Sequence, residues 1–236
     1  MKKSVLLSFL TTGLLLCSCR TYIASYSVDL TAVESPADAK IQFGETKVAS
    51  FKDIIKEKKK KEEVEVQVKK YRYEDDFIDI VWYVSSTDFN FTLKNKSNHT
   101  IKINWDDISY VDYEGKAGRV MHSGVKYSDR NNIQPASTIP KNSSLSDILV
   151  PTENVYFNSG EYGGLGKKLL IPSIYQNPDD FASSANTYVG KTMKVLMPIV
   201  IENVQNDYTF EFSITSLLNP ELGNNSKESN SIISWQ

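Results

Sequence analysis

Two histidines are the only imidazoles in this chain, so they bound the acid–base and metal chemistry open to it. His99 lies in a polar turn between strand-like segments, and His122 closes such a segment beside Ser123. Ser123, His122 and Asp129 supply the residue types of a nucleophile, a base and an orienting acid. The spacing argues against that use, because neighbours on a strand point to opposite faces and no nucleophile-elbow glycines surround Ser123. Zinc would need a third ligand, Asp106 for instance, and the two histidines lack helical ligand spacing. The chain is therefore read as non-catalytic, with no metal and no cofactor.

Other clusters yield to plainer readings. Gly160-Glu161-Tyr162-Gly163-Gly164-Leu165-Gly166-Lys167-Lys168 has a phosphate-loop composition, but Glu161 stands where the motif needs glycine and Lys168 where it needs Ser or Thr. A flexible surface loop is the expectation. Glu74-Asp75-Asp76, Asp106-Asp107 and Asp179-Asp180 lack the alternating ligands and glycine of a calcium loop, and read as solvated turns. Tyr127, Tyr156, Phe157, Tyr162 and Tyr175 gather in an irregular stretch, and aromatic residues of this kind serve sugar and protein recognition. Arg119, His122, Lys126, Tyr127, Arg130 and Tyr162 form the candidate partner surface.

At the N-terminus, Met1-Lys2-Lys3 precedes an uncharged apolar run from Ser4 to Leu16. That length suits a signal segment and falls short of the roughly 20 residues of a membrane span. The run ends in Leu16-Cys17-Ser18-Cys19. These residues resemble the lipobox of bacterial lipoproteins, which implies cleavage after residue 18 and lipid attachment at Cys19. The resemblance further implies two or three acyl chains, enough for lasting attachment, since each buried methylene contributes roughly 0.8 kcal/mol. Arg20 follows the cysteine without an inner-membrane retention aspartate or an export-type acidic cluster. The implied address is the outer membrane, facing the periplasm.

Without Lys2 and Lys3, the 27 basic residues fall to 25 against 29 acidic ones, a balance that argues against nucleic acid as partner. The chain has two cysteines, both in the lipobox segment, so the mature protein is expected to hold no disulfide, no cysteine-ligated metal and no thiol nucleophile. Its stability must come from core packing, for which 13 Tyr, 10 Phe and 3 Trp are suited.

The elements that position these side chains read as β-structure. Residues 19–27 form a tether. Tyr26 to Val33 alternates, Lys40 to Gly44 suggests a second short strand, and 28–63 is a candidate small N-terminal β module or an extension with a charged loop. Lys56 to Glu63 (KEKKKKEE) is read as a solvated loop or helix end rather than a lipid-headgroup patch. The main domain spans 64–218. Val64–Val68, Tyr71–Tyr73, Phe77–Val84, Asp88–Leu93, Thr100–Trp105, Ile108–Tyr113 and Arg119–His122 carry strand patterns. Lys194–Val204 and Tyr208–Ser216 read as a hairpin turning at Gln205-Asn206-Asp207, with Tyr208, Phe210, Phe212 and Ile214 on one face. Between Ser123 and Gly190 the alternation fails under prolines 135, 140, 151, 172 and 178, apart from a short helix near Asp179–Ala185. Residues 219–236 form a polar tail. The fold class is all-β: an immunoglobulin-like β-sandwich or partly closed barrel with long irregular loops and at most one or two short helices.

Leu93-Lys94-Asn95, Trp105-Asp106, Arg119-Val120-Met121-His122-Ser123-Gly124 and Val150-Pro151-Thr152 together resemble the middle of a group of uncharacterised bacterial envelope lipoproteins. The resemblance covers residues 89–156 and implies an extracytoplasmic immunoglobulin-like sandwich, with no activity attached. The functional expectation is a membrane-anchored protein that binds or assembles another envelope component. The alternative is a glycan-binding protein or hydrolase built on the loops of residues 119–180.

Overall fold

The computed structural model describes residues 22–34, 47–59, 62–159 and 163–218. The signal segment 1–18, Cys19, the short strand expected at 40–44, Gly160, Tyr162 and the polar tail lie outside the described residues.

The strands in chain order begin with β1 (Tyr22–Ile23), β2 (Ser25–Glu34), β3 (Lys47–Lys59), β4 (Glu62–Glu74), β5 (Ile78–Val84) and β6 (Phe89–Asn95). Short strands follow: β7 (Ile101–Ile103), β8 (Ser109–Val111), β9 (Ala117–Met121) and β10 (Ser137–Ile139). Next come β11 (Ser144–Pro151), β12 (Val155–Asn158), β13 (Gly164–Lys167) and β14 (Ile174–Tyr175). Helix α1 (Pro178–Ser184) precedes β15 (Thr192–Ile201) and β16 (Val204–Leu218).

Alternation decides which faces meet. Ile78, Ile80 and Trp82 of β5 and Phe89, Phe91 and Leu93 of β6 turn inward and are buried, as a period of two requires. Tyr208, Phe210, Phe212 and Ile214 of β16 line the facing layer without exposure. The layers interlock through aromatic rings: Trp82 lies 5.0 Å from Phe210 and 5.5 Å from Phe212, and Phe89 lies 5.1 Å from Phe212. Truncating a ring buried this fully costs about 3–5 kcal/mol. One layer contains β2, β16, β15, β7, β10 and β8, and the other β3, β4, β5, β6 and β11. Strand β9 joins them, pairing with β8 through Ala117–Arg119 and with β11 through Val120 and Met121. The strand path stays open, which makes this a mainly β fold of sandwich type and not a closed barrel.

Several local expectations are corrected. Residues 22–27 are not a free tether. Tyr22 and Ile23 pair with Tyr175 and Ile174, and Ser25 to Ser27 open the ladder to β16. The Tyr26 hydroxyl, donating to Ala185 O at 3.2 Å, helps hold that stretch down. Within 28–63, residues 28–34 and 47–59 belong to β2 and β3 of the common strand path, an arrangement that the extension alternative allows. The described residues of the KEKKKKEE run, 56–59 and 62–63, are strand and not loop or helix end. They continue the two arms of the β3–β4 hairpin, with Lys56 opposite Glu65 and Lys58 opposite Glu63, an arrangement of charges that favours cross-strand pairing.

The last hairpin turns earlier than Gln205-Asn206-Asp207. It turns at Glu202-Asn203, whose φ values of 50° and 67° give the left-handed two-residue turn that suits strand twist. Among its described residues the stretch 123–190 holds five strands, one of them β11, which lies between β9 and β6. Helix α1 forms where expected: Asn177 Oδ1 accepts the Asp179 N–H at 2.9 Å, and Pro178 occupies the first turn.

Candidate interaction surface

The loop from His122 to Pro135 leaves β9 and is stitched to the sandwich by polar contacts. Asp106, in the 3-10 turn Trp105–Asp107, binds the Arg119 guanidinium and accepts the Gln134 N–H at 3.2 Å. Arg119 also donates to Asn131 O and Asn132 O at 3.0 and 3.2 Å. Buried Gln134 donates to Val120 O and accepts from the His122 N–H. Arg119 is thus a brace for the loop, and Asp106 is engaged in an ion pair.

His122 stacks on buried Trp105, the ring centroids 4.0 Å apart and the planes 7° from parallel. Its Nδ1 lies 3.2 Å from Asp147 Oδ2. Asp147 Oδ1 accepts the backbone N–H of Ser123 at 2.8 Å. The orienting acid beside His122 is therefore Asp147. Asp129 instead accepts from Asn132. Ser123 enters this network through its backbone. His99 lies elsewhere, with Nδ1 2.8 Å from Glu202 Oε1. Among the described residues, no three His, Cys, Asp or Glu side chains gather as a metal site. A groove of about 430 Å³ runs beside Asp147, lined by Tyr83, Asn90, Thr92, Ser123 and Ser146 among others.

The aromatic residues divide. Tyr175 folds back: its ring lies 5.8 Å from Phe181 and its hydroxyl 3.3 Å from that of Tyr26. Tyr127 packs with Val125 and Ile148 on the small buried cluster Met121, Val150 and Val155. The Arg130 guanidinium lies 3.9 Å from its ring centroid, within cation–π range. The ring of Phe157 is 6.2 Å away. Phe157 and Leu165 stand directly opposite each other in the β12–β13 hairpin, yet remain 59% and 51% exposed. Tyr156, across from Gly166, lies where a Cβ on that residue would fall. The glycine is there to admit the ring. Lys126 is exposed nearby in sequence, and Tyr162 lies outside the described residues.

The hairpin is anchored at its base. Lys167 Nζ lies 2.7 Å from Asp88 Oδ2, and the Lys168 N–H donates to Asn154 O at 2.7 Å. Burial tends to raise the Asp88 carboxyl, but Lys167, Ser85 and Asn90 outweigh it and hold the group below the usual carboxylate range.

Of the residues in the sequence-derived surface, the structure brings Tyr127 and Arg130 together with Phe157, and turns Arg119 and His122 to internal contacts. Leu165 was missed because it sits in a run that reads as a glycine loop. Asp147 was missed because nothing local links it to His122, although it is the single acid in the otherwise uncharged run 144–151.

No family model and no curated protein matches the chain. A solved structure described as the X-ray structure of Northeast Structural Genomics Consortium target SoR45 is similar over 79% of this chain and 96% of its own, at 13% identity and a TM-score of 0.26. At that score the likeness carries no inference about this chain.

Proposed function

We propose that this chain is a membrane-anchored envelope lipoprotein, non-catalytic, whose folded part binds a protein of the cell envelope. The reading rests most on one observation: Phe157 and Leu165 are directly paired, exposed, and borne on a hairpin fastened by Lys167 and backed by Tyr127. An ordered apolar pair of this kind costs little entropy to bind, and aromatic anchors dominate interface energetics. Arg130 beside Tyr127 favours a partner surface that sets a carboxylate next to an apolar pocket. The anchor rests on Leu16-Cys17-Ser18-Cys19, and the outer-membrane address on Arg20.

Photo-crosslinking in cells tests the surface. A crosslinker at residue 157 or 165 is expected to capture one specific envelope protein, and Phe157→Ser to weaken capture at least tenfold. Equal capture from a residue on the opposite layer refutes the assignment. Fatty-acid labelling that survives Cys19→Ser refutes the anchor. The groove beside Asp147, which combines the polar groups of Tyr83, Asn90 and Thr92 with Val81 and Ile148, favours glycan binding as the second reading. Saturable binding of peptidoglycan fragments, lost on Asn90→Ala, would select it.

A further inference from the structure

The β3–β4 hairpin outruns the sandwich that bears it. The two strands are paired without interruption from Lys47–Glu74 to Lys59–Glu62, but β4 pairs with β5 only through Tyr71 to Glu74. Among the described residues, the stretch 62–70 has β3 on one side and no strand on the other. Nine residues at about 3.3 Å each make an edge roughly 30 Å long. A two-stranded ribbon of this kind is marginal in water by itself, and its open edge is a template for further pairing.

The order of residues along that edge identifies the occupant. Residues 62–70 read Glu-Glu-Val-Glu-Val-Gln-Val-Lys-Lys, and reversed against itself the stretch is complementary. With Val66 opposite Val66 of a second copy, Glu62 meets Lys70, Glu63 meets Lys69, Val64 meets Val68 and Glu65 meets Gln67. Opposite charges fall at both ends and valines in the middle, with no like-charge pair. The outer edge of β3 has no such register. Centred on Asp53, self-pairing would set Asp53 against Asp53 and Lys47 against Lys59, and its many lysines are the usual guard of an edge strand.

We propose that two copies of this chain associate through residues 62–70 of β4, antiparallel about a two-fold axis at Val66. The ribbons then form one four-stranded sheet, β3-β4-β4-β3. Val64, Val66 and Val68 of both copies share one face, because side chains alternate and the register pairs like parity with like. The interface is isologous and closes at two copies. In the single chain Lys69 meets Asp29 and Lys70 meets Asp53; in the pair they also face the partner's glutamates. The edge is small for an interface, so association is expected at high local concentration, the condition that confinement to a surface creates. This inference uses none of the residues of the Phe157 surface, and only the surface confinement rests on the proposed anchor.

Sedimentation of the full-length chain in detergent tests it. The native chain is expected to reach twice its single-chain mass as concentration rises. Glu62→Lys with Glu63→Lys, and separately Lys69→Glu with Lys70→Glu, set like charges at four positions of each homodimer and should weaken association at least tenfold. An equimolar mixture of the two variants restores every opposite-charge pair and should form the heterodimer that neither forms alone. Oxidation with copper–phenanthroline supplies a second readout. Val66→Cys should yield a disulfide-linked pair beyond anything the native chain forms under the same oxidation. Val64→Cys should not, since its counterpart lies four residues along the ladder, beyond the span of a disulfide. A native chain that stays monomeric at all concentrations, a mixture of variants that fails to associate, or equal crosslinking at 64 and 66 overturns the proposal.

Discussion

Replacing Lys167 by methionine keeps the aliphatic stem and deletes the ammonium that meets Asp88 at 2.7 Å. A hydrogen bond to a charged group contributes about 1.5–3 kcal/mol. Two facts lower that figure. Asp88 keeps the Ser85, Thr87 and Asn90 donors, and the Lys167 side chain is 29% exposed, so solvent screens the pair. The net loss is about 1–2 kcal/mol, which corresponds to a roughly 5–30-fold larger open population of the β12–β13 hairpin. Native-state hydrogen exchange reads it directly: amides of 155–158 and 164–167 should lose protection, while β5 and β6, buried on the core face, change less. Equal loss in the hairpin and the core, or none in the hairpin, refutes the account. Acid gives an independent check. Because the folded Asp88 carboxyl titrates below its unfolded value, its contribution is present above about pH 4 and is lost as pH falls through the folded pKa. Hairpin protection should therefore hold from neutral pH to about 4 and fail below, more steeply in the native chain than in Lys167→Met.

Asp75 is buried and accepts from the hydroxyls of Tyr73 and Tyr208 and from the N–H groups of Phe77 and Ile78. Asp75→Ala removes that acceptor from all four and should lower unfolding free energy by about 3–5 kcal/mol, measured by urea denaturation. Gly166→Ala drives a methyl group into the Tyr156 ring; it should displace that ring, visible as a shift in Tyr156 NMR resonances, with global stability nearly unchanged. Asn203 holds φ at 67°, so Asn203→Gly should raise the thermal midpoint slightly, about 0.5 kcal/mol in stability; a fall would refute the turn geometry.

What was legible in the sequence was local. The buried face of β16 follows from Tyr208, Phe210, Phe212 and Ile214 two residues apart, and a short helix was expected near Asp179–Ala185, where α1 lies. What escaped depends on partners distant in the chain. Strand β11 is interrupted by Asp147 and closed by Pro151, so its alternation is poor, and it is held by pairing with Phe89 to Lys94 some fifty residues earlier. The turn at Glu202-Asn203 carries no glycine to announce it. Asp147 reaches His122 only because β9 and β11 become neighbours at Met121 and Val150. Leu165 becomes a surface residue only once it is opposite Phe157.

The ladder between β2 and β16 has a mechanical meaning. Its nine pairs are broken by irregularities between Glu211 and Phe212 and between Ile214 and Ser216, leaving three runs of three. A pull on the N-terminal end meets the short β1–β14 clasp and Tyr26 first, and then these runs one after another from Ser25 inward. Each slips before the next bears load, so tension drawn through this end is released in steps, with the aromatic core behind β16 the last part to feel it.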